Sequence, residues 1–257
     1  PHRCGRFSPR IMELTGKVAL LTGVRRIGSV VASTLAGAGA DIALVYNRSA
    51  AEATATAAEI KDGGRRVLVI QADLADAAAS RRVVDQTLAE FGRIDVLGAM
   101  ASLYKPTPFA ELTLDTWNAQ IDVELRSAFL CAHAAAPSMR SHGGGRIILF
   151  SDWLPASGRP RYAGYLTYYV AKAGLKALAE AMAMELANDG ILVNAIAPGP
   201  ILAPPETTDQ ELGAVADSTP LGRWGGPAEI AKAVMFLIQS DFVTGETIRV
   251  DGGRHLK

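Results

Sequence analysis

The chain has 257 residues, 49% hydrophobic and 20% charged, with a formal net charge of +0. That is ample material for one α/β core, and it lacks the basic excess of a nucleic-acid footprint. No apolar run approaches the about 18 residues that argue for a membrane span. The two cysteines, Cys4 and Cys131, make no disulfide framework, and the four histidines are scattered without ligand spacing. No metal site is expected, and a reducing, cytoplasmic setting fits.

The first stretch, "PHRCGRFSPR", is basic and has no following h-region. Residues 1–12 read as a disordered leader or an expression remnant, with Met12 as the natural start, and residues 13–257 as one dinucleotide-binding oxidoreductase domain.

Apolar β-branched runs then alternate with helical patterns. Strand "KVALLT" (17–22) precedes helix "SVVASTLAGAG", and strand "DIALVY" (41–46) precedes helix 50–62. Strand "RVLVIQ", helix 77–91 and strand "DVLGAM" follow, then a long helical region over 113–142. Strand "GRIILF" (145–150), helix 165–188, strand "ILVNAI", helix 227–239 and strand "ETIRV" complete the series. This alternation predicts a doubly wound parallel sheet of about seven strands with helices on both faces, a single Rossmann-type α/β domain. Ligands then bind beyond the carboxyl ends of the strands, at the switch point. The proline-rich stretch 198–205 reads as a loop over that site.

"LLTGVRRIGSVVA" (20–32) is a strand, a turn and a helix start with two glycines, Gly23 and Gly28. The free N–H groups of a helix N-terminus suit a pyrophosphate, and glycine lets backbone approach it. An ordinary tight turn would show the same two glycines. Two further features point to a cofactor. Arg25 and Arg26 sit in the turn, and the second strand ends in "YNRS", where Asn47, Arg48 and Ser49 stand without a carboxylate. An acid at that place binds a ribose 2′-hydroxyl, whereas arginine accommodates a 2′-phosphate. NADP(H) is therefore expected over NAD; the alternative is that Arg48 is a solvated residue at a helix start.

"YYVAKAG" places Tyr168 and Lys172 four apart on one helix face. A nearby ammonium stabilises a phenolate, which would lower the tyrosine's pKa and fit it for acid–base work. Tyr165 and Tyr169 have no lysine four residues on and read as packing or substrate-pocket residues.

Taken together, "TG…IG", "NRS", "ADL", "YxxxK", "NAIAPGPI", "PLGRWGGPAEIA" and "TGETIRVDGG" resemble the short-chain dehydrogenase/reductase family, from Leu14 to about Gly253. The resemblance implies hydride transfer between NAD(P)H and a carbonyl or imine of a small molecule, acting on CH-OH or CH-NH groups. It implies that Gly23, Arg26, Ile27 and Gly28 line the phosphates, and that Asp73 and Leu74 meet the adenine. Ala101 is a further cofactor-binding position, and Pro198, Gly199 and Ile201 contact the nicotinamide. Tyr168 would be the proton donor, with Lys172 holding the ribose and lowering the tyrosine's pKa. "VDGG" usually belongs to a subunit interface, so a homotetramer is expected, with a dimer as the other possibility.

Four positions depart from the family pattern. The turn "TGVRRIG" is one residue shorter than TGxxxGxG and has Arg for the middle glycine, as in reductases resembling pteridine reductases. "AMAS" (99–102) replaces "NNAG", losing its amides. Glu124 replaces an asparagine and could pair directly with Lys172, or face elsewhere. Asp152 falls at the serine position, as in pteridine reductases, with Ser151 a poor stand-in because neighbouring strand residues face opposite ways. A carboxylate there suits a nitrogen heterocycle, and ionised it would raise the tyrosine's pKa. The insertion "SGRPRYAG" adds Arg159 and Arg161, either contacts for an anionic substrate or a basic surface loop. The leading expectation is an NADPH-dependent reductase of a pterin-like or other nitrogen-containing compound. A simple ketone or a 3-oxoacyl group is the alternative substrate. A catalytically impaired, nucleotide-binding or regulatory homologue is the alternative function.

Overall fold

In the computed structural model, residues 11–257 are described; the reading of the first ten as a leader lies outside them. The strands are β1 (Val18–Thr22), β2 (Asp41–Tyr46), β3 (Val67–Gln71), β4 (Val96–Ala99), β5 (Gly145–Phe150), β6 (Ile191–Pro198) and β7 (Thr247–Val250). The helices are α1 (Ile27–Gly37), α2 (Ala50–Asp62), α3 (Ala77–Phe91), α4 (Leu114–Ile121) and α5 (Ser127–Ser141). They continue as α6 (Trp153–Ala156), α7 (Leu166–Leu186), α8 (Asp209–Asp217) and α9 (Pro227–Gln239).

All seven strands pair in parallel in the order β3-β2-β1-β4-β5-β6-β7. The chain runs outward from β1 to β3, then returns to lay β4 on the other side of β1. That reversal opens the crevice above the carboxyl ends of β1 and β4.

The continuous apolar strands are explained by burial on both faces. Alternate residues enter opposite cores. Leu21, Ile42, Leu44 and Ile148 pack under α1, α2 and α9. Leu20, Ala43, Val45 and Ile147 pack under α3, α5 and α7. Capping fixes the helix ends. The Asp76 carboxylate accepts from Ala78 N at 2.9 Å to start α3, and Gly92, at φ 75°, ends it. Among the described residues no helix is long and apolar enough to cross a membrane.

Two elements differ from the sequence expectation. The helical region 113–142 is interrupted by one wide π turn, Asp122–Arg126, between α4 and α5. The segment after β6 holds a helix, α8, opened by a capping box between Thr208 and Glu211.

The turn after β1 leaves no room for a side chain at Gly28, where a Cβ would lie 2.1 Å from the Gly23 carbonyl oxygen. Gly28→Ala must push that turn open. It is expected to cost about 1–3 kcal/mol, as overpacking does, read as a lower urea midpoint at unchanged slope.

Candidate active site

α7 is a long helix whose buried stripe includes Tyr168, Ala171, Lys172 and Leu175, so the i, i+4 spacing aims hydroxyl and ammonium into the sheet's carboxyl edge together. Lys172 is only 3% exposed and Glu124 only 1%. A buried ammonium is costly without an opposite charge. Here Nζ lies 2.7 Å from Glu124 Oε2 and donates to the Phe150 carbonyl oxygen at 2.7 Å. Glu124 therefore pairs with Lys172 instead of facing elsewhere. At 2.7 Å between ammonium and carboxylate, the pair is close and buried.

The π turn places Glu124 on this inner face. Its other oxygen, Oε1, accepts from Ser102 Oγ at 2.8 Å, Leu103 N at 2.6 Å and Gln120 Nε2 at 3.1 Å. These contacts also answer the loss of amides in "AMAS". Thr22 Oγ1 accepts from Met100 N and Ala101 N at 3.0 and 3.2 Å, and Glu124 accepts the Leu103 N–H.

Beyond β5 the chain turns sharply. Ser151 lines the cleft and donates its hydroxyl proton to the Lys172 carbonyl at 2.8 Å. Asp152 caps α6 by accepting from Leu154 N at 2.8 Å, and its second oxygen accepts from the Tyr168 hydroxyl at 3.1 Å. The four residues expected to act together thus form two contacting pairs, Glu124–Lys172 and Asp152–Tyr168, with the Lys172 ammonium 5.5 Å from the Tyr168 ring centre.

Two opposed influences on Tyr168 are expected, a lowering by Lys172 and a raising by ionised Asp152; the phenol is pushed well above its ordinary value. Burial is the largest cause, followed by the negative charges of Asp152 and Glu124. Lys172 stands 5.5 Å from the ring centre, with its charge already answered by Glu124. Burial likewise raises the Asp152 acid, against the lowering effects of Leu154 N–H, Lys172 and Tyr168.

Two hollows meet at these residues. A cleft of about 480 Å³ runs from the turn at Gly23–Gly28 past Ser102, Tyr168 and Lys172 to Pro198–Leu202. Within it lie the predicted Arg25, Arg26, Ile27, Gly199 and Ile201. A second hollow, about 470 Å³, is walled by Tyr104, Phe109, Trp153, Tyr162, Tyr165 and Tyr169. Tyr104, Asp152, Trp153, Tyr162 and Tyr168 border both. Tyr104 stacks on Tyr165 at 4.8 Å and meets Tyr168 edge-on at 5.1 Å. Arg161 lies over the Trp153 ring at 5.2 Å, with Arg254 at 5.8 Å.

Asn47, Arg48, Ser49, Asp73, Leu74 and Ala101 do not line the cleft. Asn47, Arg48 and Asp73 are exposed, whereas the Leu74 side chain is spent in the core. Sequence reasoning missed Glu52 and Ala203. The Arg26 N–H donates to the Glu52 carboxylate, and the Arg26 guanidinium donates across the cleft to the Ala203 carbonyl. Among the described residues Arg26 is the one non-glycine at positive φ, 59°. It occupies the place of the missing glycine, and such strain persists only where surroundings hold it.

The comparisons agree with this geometry. A family model described as Enoyl-(Acyl carrier protein) reductase matches residues 23–255. The chain belongs to the short-chain dehydrogenase/reductase family. A 3-oxoacyl-[acyl-carrier-protein] reductase from Synechocystis is 36% identical over 244 residues, 93% of this chain and 97% of the relative. The short-chain dehydrogenase/reductase of Serratia marcescens superposes with a TM-score of 0.87 at 34% identity, covering 95% of this chain and 100% of that one. A blue fluorescent protein from a metagenomic library, solved in complex with NADPH, gives 0.87 at 36% identity, covering 95% and 99%. General oxidoreductase function and a nicotinamide cofactor follow with the family.

The donor set suits such a cofactor. α1 begins without a side-chain cap, leaving helix-start N–H groups for anionic phosphates, and Lys172 stands across the same cleft.

Glu124→Ala leaves the Lys172 ammonium buried without its counter-charge and should cost about 3–5 kcal/mol. Glu124→Gln should cost less, because its amide oxygen still accepts from Leu103 N and Ser102. Denaturant unfolding of the two variants measures the difference. Asp152, raised in the folded state, binds more protons there than when unfolded, so its contribution lowers stability as pH climbs from the unfolded aspartate value through the folded one. Asp152→Asn should remove that part of the slope in a pH series of unfolding midpoints.

Proposed function

We propose that the chain is an NADPH-dependent reductase that delivers hydride to a carbonyl or imine of a small molecule, with Tyr168 as the proton donor. The observation that carries this reading is the Tyr168 hydroxyl, held on Asp152 where the cleft and the aromatic hollow meet. A substrate body in the aromatic hollow presents its polar bond to that hydroxyl, and aromatic walls favour a flat ring.

When bound, the nicotinamide supplies the hydride. The protein's part is acid catalysis and positioning. Tyr168 keeps its proton near neutral pH because burial and the Asp152 and Glu124 charges disfavour a phenolate. It releases the proton as the substrate oxygen or nitrogen gains negative charge. Asp152 fixes the hydroxyl's direction. Glu124 and the Phe150 carbonyl hold Lys172 in the cleft wall, where its ammonium can meet ribose hydroxyls.

NADPH is favoured over NADH by three arginines, Arg25, Arg26 and Arg48, and by the lack of a carboxylate at Asn47–Ser49. The relative solved with NADPH supports the same choice. One observation favours a second reading, a nucleotide-binding homologue with impaired catalysis: the ammonium expected to activate Tyr168 is neutralised by Glu124.

Tyr168→Phe separates the two. The reductase reading expects a loss of about 10²–10⁴-fold in turnover, with NADPH affinity kept within a few-fold. Full activity in this variant overturns Tyr168 as donor, and wild-type binding without turnover of any carbonyl or imine favours the second reading. The raised phenol also predicts that reduction stays level between about pH 6 and 9, whereas alcohol oxidation, which needs the phenolate, rises across that range.

A further inference from the structure

We propose that Glu52 is a specificity-determining residue for the nucleotide: it discriminates against a phosphate at the ribose 2′ position and narrows the preference for NADPH over NADH. The inference rests on the dinucleotide reading above.

Glu52 lies in the first turn of α2, three residues after Ser49 and four after Arg48. Its carboxylate leaves α2 and accepts the backbone N–H of Arg26, in the turn that opens α1. The contact therefore bridges the gap between the turn and the end of β2. In a dinucleotide-binding sheet the ribose 2′ group lies beside the end of the second strand. A 2′-phosphate at that place would come beside the segment that carries both Arg48 and the Glu52 carboxylate.

A carboxylate on an N–H at a helix start offers the same chemistry as a phosphate in that place. Glu52 thus does two things. It satisfies the N–H of a residue in a strained conformation, and it sets a negative charge against the turn that carries Arg25 and Arg26, four residues along the chain from Arg48. Arg25 and Arg48 form no ion pair among the described residues. The Ser49 side chain makes no capping hydrogen bond to α2. Donors for a 2′-phosphate are therefore at hand, and Glu52 opposes them. A ribose 2′-hydroxyl carries no charge and does not suffer this opposition.

Glu52→Gln removes the charge and keeps an oxygen to accept the Arg26 N–H, so the turn is retained; an unchanged unfolding midpoint checks this. The binding of 2′,5′-ADP and of 5′-ADP is measured by calorimetry on wild type and variant, without any turnover. The proposal expects 2′,5′-ADP to tighten by about tenfold or more in the variant, with 5′-ADP changed less than about twofold. Equal tightening of both would place Glu52 against the diphosphate and overturn the proposal. No tightening of 2′,5′-ADP, with wild type binding both nucleotides, overturns it while leaving the cofactor reading intact. Failure of both nucleotides, and of NADPH and NADH, to bind either protein overturns the cofactor reading and this proposal with it.

Discussion

A buried ammonium has to be answered, and most of the site's architecture follows from how Lys172 is answered. Its neutral partner is a carbonyl at the end of β5 and its charged partner is Glu124. Glu124 is the buried residue of the wide turn that joins α4 and α5, and such turns gather at functional sites. The second Glu124 oxygen then fixes the loop leaving β4 through Ser102 and Leu103. One charge pair thus ties together β4, β5, the α4–α5 join and α7. Any shift of Lys172 would be felt at Tyr168, one helical turn away.

The same charges decide what Tyr168 can do. Two carboxylates and one ammonium surround the phenol, and two of those three charges favour its protonated form. An asparagine at position 124 would leave Lys172 with a charge to spend on the tyrosine. With glutamate there, the ammonium is already committed. A site built this way is poised to give a proton and reluctant to take one. That accords with a reductase working on an acceptor whose oxygen or nitrogen becomes basic as hydride arrives.

Much of this was legible in the sequence. The strands announce themselves as unbroken apolar runs, because both sheet faces are covered. The range of α2 could be read from its Ala/Glu-rich composition closed by Gly63–Gly64, and the end of α3 from Gly92. Spacing put Tyr168 and Lys172 on one helix face; their roles, and the place of Asp152 at the end of β5, came from the resemblance to the family. What stayed hidden depends on three-dimensional approach. The π turn over Asp122–Arg126 has the same residue pattern as ordinary helix, and only a buried partner for Glu124 distinguishes it. The raising effect of Asp152 on Tyr168 could be foreseen, but the burial of the phenol, which is the largest cause, and the nearby charge of Glu124 needed the three-dimensional structure. Glu52 looked like any acid in a first helical turn, favourable there for its own dipole. Its contact lies 26 residues away, and no local pattern reports it. The missing glycine was a usable signal: whatever replaced it had to take a backbone conformation that glycine adopts freely.

Arg26 shows how the shortened turn is sustained. Removing one residue from the loop forces a sharper reversal before α1, and the residue at the reversal has φ 59°. Glycine would adopt it at no steric cost. Arginine brings strain, but also a guanidinium long enough to reach the Ala203 carbonyl on the opposite wall. Its N–H is held by Glu52 and its carbonyl by Ser29 Oγ at 2.8 Å. Three contacts from separate segments thus over-determine one backbone conformation, the condition under which strain survives. The departure from the family turn is therefore coupled to residues outside the turn: the sharper reversal, its arginine and the carboxylate of α2 work as one unit. The wall of the cleft at this turn is braced from side to side by residues of the chain itself.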